Sequence, residues 1–256
     1  MKLIKLSILL FVINCNTTEI NKFSINLIKE VNKKFPNQEY KYPILKGNSE
    51  ISNKINSKII NDLLDLDINK PHKSIFENVW STEEKLMPSL SFLEYKVNIL
   101  NSKLYSVTFQ TESCGAYCEE FSISYNFNLL NGKEIIIDSM LTDSGKKSLL
   151  EKLNNQRENK LKKTIEELKK EQISSTEEND FEERIALLQS CLEMTSISSL
   201  EFINFKFEKE YINLFSDRCS NHAMRALDEV GRFEYSFKID EINNLLNKYG
   251  KQILIK

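Results

Sequence analysis

The feature that most constrains the fold is a strictly alternating segment near the middle of the chain. Every second residue there is apolar or aromatic, namely Phe121, Ile123, Tyr125, Phe127 and Leu129. Because successive side chains of a strand point to opposite faces of a sheet, the alternation predicts a strand with one buried face and one face in water. The Asn131-Gly132 pair that follows predicts a type I′ hairpin turn, since both residues tolerate positive φ.

Neighbouring segments extend this strand into an antiparallel meander. Alternation predicts strands at about 93–99 and 103–111 before it, and the apolar run 135–137 continues the meander after it. Three more strands are predicted at 202–207, 211–215 and 233–239. A helix is predicted over 48–64, where apolar residues share one face, and a last helix over about 242–249 with Gly250 as its C-terminal cap.

Residues 144–194 combine helical periodicity with a dense run of charges between Arg157 and Arg184. Pairs spaced i,i+4, such as Glu158 with Lys162, indicate a solvated helical hairpin. The apolar stripe is too short and broken for a partner-binding coiled coil. The expected fold class is therefore α+β, with antiparallel meander sheets, helices packed on one face and a charged helical hairpin.

The chain divides into four parts on this interpretation. Residues 1–14 form a leader, and the polar segment 15–38 serves as a tether with weak helical periodicity. Residues 39–100 form an N-terminal α+β subdomain. Residues 101–256 form a C-terminal α+β domain that carries the helical insertion at about 144–194.

The N-terminus predicts export and a lipid anchor. Lys2 and Lys5 precede a short apolar run that ends at Cys15, and the run is too short to span a bilayer. Val12-Ile13-Asn14-Cys15 resembles a lipobox, which implies cleavage before Cys15 and acylation of that residue, for example with palmitate. The protein would then lie in the cell envelope, on the outer membrane or the periplasmic face of the inner membrane, held by its acyl chains. The alternative is a simple secretory peptide with an incidental cysteine.

If the protein is exported, the other four cysteines are expected to form two disulfides. Cys114, Cys118, Cys191 and Cys219 allow three connectivities. The short spacing favours a local Cys114–Cys118 bridge, which leaves Cys191 to pair with Cys219. The rival interpretation is a metal site that uses the close pair with Cys191, Cys219 or His222. It is disfavoured because zinc sites usually show two close pairs.

Composition excludes several function classes. The formal net charge is −2, so neutralisation of nucleic-acid phosphates is not expected. Six glycines and two histidines offer neither a Gly-rich phosphate loop nor a His-built metal cluster, and no cofactor is expected. No G-x-S-x-G elbow frames a serine, and His72 is expected to be an exposed surface residue.

Several segments resemble a known pair of extracellular domains. They are Tyr42-Pro43-Ile44 with the helix that follows, Ser113-Cys114-Gly115-Ala116-Tyr117, and Phe127-Asn128-Leu129-Leu130-Asn131-Gly132-Lys133-Glu134. The order of these pieces is similar to the paired domains of unknown function in the lysozyme-sensing anti-sigma factor of Gram-positive bacteria. The same domains precede some peptidoglycan deacetylase domains and occur in many bacterial lipoproteins. Tyr117 stands where the family loop usually has histidine.

Two functional hypotheses follow. The first is a non-enzymatic, membrane-tethered binding, sensing or structural module, with a protein partner of the lysozyme type or a cell-wall glycan as the ligand that the resemblance implies. Its candidate binding residues lie near the predicted bridges: Tyr117, Arg218, His222 and Arg225. The alternative is an envelope enzyme that acts on peptidoglycan or another polysaccharide, which would need two suitably placed carboxylates.

Intact-mass analysis of the native protein tests the anchor and the bridges together. We expect the mass of the chain from Cys15 onward plus its acyl chains, less two hydrogens for each of two disulfides. A Cys15→Ser variant should lose the acyl mass and keep the bridges. An unacylated native protein with all its thiols reduced would contradict both predictions.

Overall fold

The computed structural model describes residues 23–114, 118–174, 180–194, 196–201, 203–221 and 223–254. Within these residues the protein has an α+β fold, built from a mixed six-stranded sheet and a three-stranded antiparallel sheet with helices. The expected fold class is thus confirmed. The predicted leader and Cys15 lie outside the described residues. In the part that is described, no helix is both long and apolar enough to cross a membrane.

The large sheet contains the predicted meander at its centre. Its strands follow the chain order: β1 (Ser24–Val31), β2 (Glu39–Lys46), β3 (Leu93–Leu100), β4 (Leu104–Cys114), β5 (Cys118–Asn128) and β6 (Lys133–Glu134). All neighbours are antiparallel except β2 and β3, which pair in parallel at Tyr40 and Leu93. A parallel pair needs a long crossover, and the segment between these strands supplies one.

Strand β1 corrects the expectation of a polar tether. It pairs with β2 along its whole length, so the folded part begins before Glu39. The strand lies at the edge of the sheet, where Leu27 is 54% exposed and Val31 is 43% exposed. An edge strand with partly exposed apolar residues shows no clean alternation, which is why its sequence signal is weak.

Helix α1 (Ser49–Leu64) covers one face of the large sheet as predicted. The Asn48 side chain caps it by accepting a hydrogen bond from the backbone N–H of Ile51 at 3.2 Å. Its apolar stripe packs onto the strand residues of a core that spans residues 40–129: Ile55, Ile59, Ile60, Leu63 and Leu64.

A second core joins the small sheet to the helical hairpin. The sheet consists of β7 (Asn204–Glu208), β8 (Tyr211–Ser216) and β9 (Phe233–Lys238), and the hairpin of α2 (Asp143–Ser174) and α3 (Phe181–Met194). The hairpin is charged on its outer side, but α2 also buries Leu149, Leu153, Leu161, Ile165 and Leu168. It is therefore part of the core and not only a solvated insertion.

The two cores meet at a different place from the predicted boundary. Strands β3 and β4 pair across residue 100, where the sequence predicts a boundary between two subdomains. The core that α1 covers ends at Leu129, whereas the second core takes up most of its residues from Ile135 onward. The chain thus changes from one core to the other near residue 130.

The C-terminus forms two short helices instead of one. Helix α4 (Ile239–Ile242) and helix α5 (Lys248–Leu254) flank a single 3-10 turn. Gly250 lies inside α5, so its predicted role as a C-cap is wrong. A Cβ at this position would collide with the backbone oxygen of Met140, so a close approach of the two backbones requires glycine here.

The polar face of β5 is not simply in water. Asn126 is 2% exposed and Asn128 is 4% exposed, because the small sheet lies against this face. The Asn126 Nδ2 donates to the backbone oxygen of Phe205 at 2.7 Å, and Ser106 Oγ accepts from the backbone N–H of Phe207 at 3.3 Å. Phe205 and Phe207 belong to β7, an edge strand of the small sheet. Polar side chains of the large sheet thus satisfy the backbone of that edge.

An Asn126→Ala substitution tests this contact between the sheets. It removes the side-chain donor to the buried carbonyl of Phe205 and the acceptor for the Ser106 hydroxyl proton, so we expect a loss of about 1–3 kcal/mol in the free energy of unfolding. Chemical denaturation measures the change. Asn61→Ala on the exposed side of α1 is the control and should change stability by less than about 0.5 kcal/mol. Equal effects of the two substitutions would contradict the assignment.

Candidate functional site

A cavity of about 590 Å³ lies between the first residues of β5 and the segment that joins β8 to β9. Three arginines line it: Arg218, Arg225 and Arg232. Arg218 and Arg225 are two of the four predicted binding residues. The structure places both at this one cavity, which the sequence alone could not predict. Tyr117 and His222, the other two candidates, lie outside the described residues.

The wall that carries these arginines is held by Asp228. Its carboxylate accepts hydrogen bonds from Ser220 Oγ at 2.6 Å and from the backbone N–H groups of Val230 at 3.1 Å and Gly231 at 2.9 Å. Gly231 adopts a positive φ of 62°, which favours glycine at this turn. The Asp228 carboxylate therefore holds Ser220 at one end of this segment and the turn at Gly231 at the other.

The Cys191–Cys219 pair ties the same wall to α3. The two sulfurs lie at disulfide distance, and the Cα atoms are 5.5 Å apart. Cys219 sits between Arg218 and Ser220, both of which line the cavity. The predicted pairing thus has a structural role, because it fastens the start of the wall to the helical hairpin.

The Cys114–Cys118 pair closes the opposite side of the site. These residues face each other at the ends of β4 and β5, with their sulfurs at disulfide distance and their Cα atoms 4.0 Å apart. Glu119 and Glu120, which follow directly, line the cavity. Both predicted cysteine pairs therefore border the candidate site.

A metal-ligating arrangement is found beside this second pair. The ligand atoms of Glu112, Cys114 and Cys118 all lie within 4.8 Å of one another. A cysteine binds a metal as a thiolate, and neither sulfur is a thiolate while the two are bonded to each other. The set therefore fits a metal only after reduction of the bridge.

The three arginines are engaged differently. Arg218 forms an ion pair with Glu119 across the cavity. The Arg232 guanidinium carbon lies 5.2 Å from the ring centroid of Phe215, which is a cation–π distance. The Arg225 side chain is exposed and has no hydrogen bond or ion pair to any residue that the structure describes. It is thus available to a ligand.

Arg157 has a structural role, although the sequence predicts it at the start of a solvated charge run. Its side chain is buried in the hairpin, and its Nη2 lies 2.7 Å from Cys191 Sγ and 3.5 Å from Cys219 Sγ. The guanidinium carbon is 5.0 Å from the ring centroid of Phe233. Burial lowers the pKa of Arg157, but an arginine so placed stays protonated at neutral pH. Periodicity alone would have placed it on the inner face, one turn from Leu153 and Leu161.

His72 behaves as the sequence predicts. It is exposed, and its Nδ1 lies 2.9 Å from the backbone oxygen of Lys70. Of the two histidines, it alone is within the described residues, and its ring has no hydrogen bond there to a serine or cysteine. The described part of the cavity instead offers arginines, carboxylates and hydroxyls, which suit recognition of a polar ligand.

Comparison with solved structures identifies the fold. A member of the DUF3298 family from Bacteroides fragilis is similar to this chain with a TM-score of 0.53 and 15% identity, over 91% of this chain and 96% of that one. A DUF3298 family protein from Pseudomonas aeruginosa has a TM-score of 0.47 and 9% identity, over 89% of this chain and 95% of that one. No family model and no curated protein matches the sequence. The first likeness shows a shared fold, that of a domain of unknown function.

The two cysteine pairs should differ in their effect on stability. Replacing Cys191 and Cys219 by serine releases a loop of sequence separation 28, worth about 3.6 kcal/mol in the chain-entropy model. Replacing Cys114 and Cys118 by serine releases a loop of sequence separation 4, which contributes only about 2 kcal/mol to stability in the same model. Urea denaturation of the two double variants measures the difference. A larger loss for the short pair would contradict this order.

Proposed function

We propose that the protein is a non-enzymatic binding module of the cell envelope, held on a membrane through a lipid at Cys15. The observation that carries this proposal is the shared cavity of Arg218 and Arg225, with a bridged cysteine pair on each side. A cavity with rigid walls and an exposed, available guanidinium is suited to bind a partner without large rearrangement.

Two further features support an envelope location. The Val12-Ile13-Asn14-Cys15 segment fits a lipobox, and a cysteine that ends an apolar leader is the residue that such processing acylates. Both cysteine pairs are at disulfide distance, and disulfides persist mainly in exported proteins. The proposed partners are a lysozyme-like protein or a cell-wall glycan.

Two of the four carboxylates that line the cavity have structural roles. A glycosidase needs one carboxyl group to deliver a proton and a second to act as base or nucleophile. Here Glu119 is paired with Arg218, and Asp228 accepts hydrogen bonds from Ser220, Val230 and Gly231. These two carboxylates therefore hold the site together, which supports a binding role. Glu120 and Asp217 line the same cavity without a basic partner among the described residues, so they are the pair that the alternative, a polysaccharide enzyme, would use.

A pull-down from envelope extracts, with muramidases of the lysozyme type among the candidate partners, tests the proposal. The lipidated protein should fractionate with membranes and retain specific envelope material. We expect Arg225→Gln to reduce that retention about tenfold, the cost of one charge-assisted hydrogen bond. Lys73→Gln, which removes an exposed charge elsewhere on the surface, is the matched control.

Three results would overturn the proposal. One is a native protein that fractionates as a soluble cytosolic chain without acyl groups. Another is retention that Arg225→Gln leaves unchanged. The third is turnover of a cell-wall polysaccharide that is lost on replacing Glu120 or Asp217 while the fold is kept, because this would favour the enzyme.

A further inference from the structure

The end of the hairpin formed by β4 and β5 carries four residues with metal-ligating side chains on one face of the sheet. In the antiparallel register Cys114 lies opposite Cys118, and Glu112 lies opposite Glu120. Residues directly opposite each other, and residues two apart on one strand, point to the same face. The two cysteines and the two glutamates therefore share one face, and we call these four residues the hairpin-tip cluster.

Three members of the hairpin-tip cluster are already close enough to share one ion. The ligand atoms of Glu112, Cys114 and Cys118 all lie within 4.8 Å of one another, and Glu112 Oε2 is 3.9 Å from Cys114 Sγ. In a tetrahedral zinc site the ligand atoms are about 3.3–3.8 Å apart, because each lies about 2.0–2.3 Å from the metal. Small side-chain rotations therefore suffice to bring the three atoms onto one ion once the two sulfurs are no longer bonded to each other.

The charges of the hairpin-tip cluster favour a cation. Glu112 and Glu120 face each other directly, and like charges at opposite positions of two strands destabilise a sheet. Within the described chain neither carboxylate forms an ion pair, since the nearby Arg218 pairs with Glu119 instead. A divalent ion at the tip would neutralise this repulsion.

The Cys114–Cys118 bridge is the one that a reductant reaches more easily. Cys118 is exposed and Cys114 is half-buried, whereas Cys191 of the other bridge is only 4% exposed. Exposed bridges are the more readily reduced ones, and buried structural bridges resist reduction. Because this bridge closes a sequence separation of only 4, we expect the fold to survive its opening.

Contacts that do not involve the bridge hold the hairpin-tip cluster in place. The backbone N–H of Ser91 donates to the backbone oxygen of Glu112 at 2.7 Å, and Thr111 Oγ1 donates to the backbone oxygen of Phe92 at 2.5 Å. Ser91 Oγ lies 3.3 Å from Cys114 Sγ, where its hydroxyl can donate to a thiolate. The cysteines thus stay beside Glu112 after reduction.

From these observations we propose that the hairpin-tip cluster binds a thiophilic divalent metal ion such as Zn²⁺ when the Cys114–Cys118 bridge is reduced. The ligands are the two thiolates and the Glu112 carboxylate, with the fourth position left to Glu120 or water. Thiolate ligands select zinc over magnesium and calcium, which prefer oxygen. The site goes beyond the proposed binding function and does not depend on it.

Metal binding follows reduction of the bridge by a dithiol. One thiolate of the dithiol attacks the exposed Cys118 sulfur, the bond between the cysteines breaks, and Cys114 leaves as a thiolate. The second thiol of the reductant then displaces Cys118 and closes the reductant's own disulfide. Two electrons and two protons thus pass to the cysteine pair. Zn²⁺ binds both sulfurs as thiolates and releases the two protons to solvent.

Cobalt(II) absorption tests the proposal, because tetrahedral thiolate ligation of Co²⁺ gives charge-transfer and visible bands that oxygen ligation does not. The folded chain carries Cys15→Ser, is reduced with dithiothreitol, is freed of reductant without oxygen and is then titrated with Co²⁺. Alkylation and mass spectrometry of the same sample identify the bridge that has opened. We expect Cys114–Cys118 to open first, one Co²⁺ to bind per chain, Zn²⁺ to displace it, and the oxidised protein to show no bands.

Matched variants assign the metal to the hairpin-tip cluster. A Cys114→Ser/Cys118→Ser variant should lose the bands, which excludes the other cysteine pair as their source. Glu112→Gln should weaken Co²⁺ binding about tenfold or more, because it removes a charged ligand. Glu50→Gln makes the same change at an exposed position of α1 and should have no effect. An unchanged circular dichroism spectrum checks the folding of each variant.

Several outcomes would overturn the proposal. They are a Cys114–Cys118 bridge that resists dithiothreitol in the folded protein, a reduced protein without thiolate bands at millimolar Co²⁺, and bands that persist in the double serine variant or in the oxidised protein. Equal effects of Glu112→Gln and Glu50→Gln would overturn it as well. Capture of an envelope partner through Arg225 is measured separately on the oxidised protein, so either proposal can fail while the other stands.

Discussion

The contact between the two sheets is the interaction on which the rest of the structure depends. β7 has one side of its backbone free, and a free strand edge usually invites pairing with another chain. Here Asn126 and Ser106 supply hydrogen bonds to that edge from the face of another sheet. The contact therefore needs polar residues in a buried interface, and a cavity of about 250 Å³ lies beside it between the same strands.

Much of the fold could be predicted from local patterns. The meander of β3, β4 and β5 follows from alternation because each strand has one strongly apolar face. Helix α1 follows from its stripe and its Asn48 cap. The strand β1 could not be predicted, since Leu27 and Val31 remain exposed at an edge and the pattern carries little contrast. The parallel pairing of β2 with β3 depends on a crossover whose path no local pattern describes.

The candidate site was predictable only in part, and for the same reason. Proximity in sequence to Cys219 singled out Arg218 and Arg225, which do share a cavity. Arg232 and Phe215 were missed because no local sequence pattern brings them to this site. Phe215 belongs to β8, and Arg232 directly precedes β9. The hydroxyls and amides on β4 and β5 were interpreted as a face in water, since a polar residue that contacts another sheet has the same sequence pattern as one that contacts solvent. Arg157 is the opposite case, because it lies in a charged stretch of sequence and yet its side chain is buried in the protein.

The early start of β1 limits where this molecule can work. Strand β1 begins at Ser24, so nine peptide steps separate it from Cys15, and even a straight chain of that length spans only about 30 Å. If the cysteine is acylated as proposed, the edge of the large sheet stays within one bilayer thickness of the lipid headgroups. The domain would then sample a thin layer directly above its own membrane, and anything it captures must come to that layer.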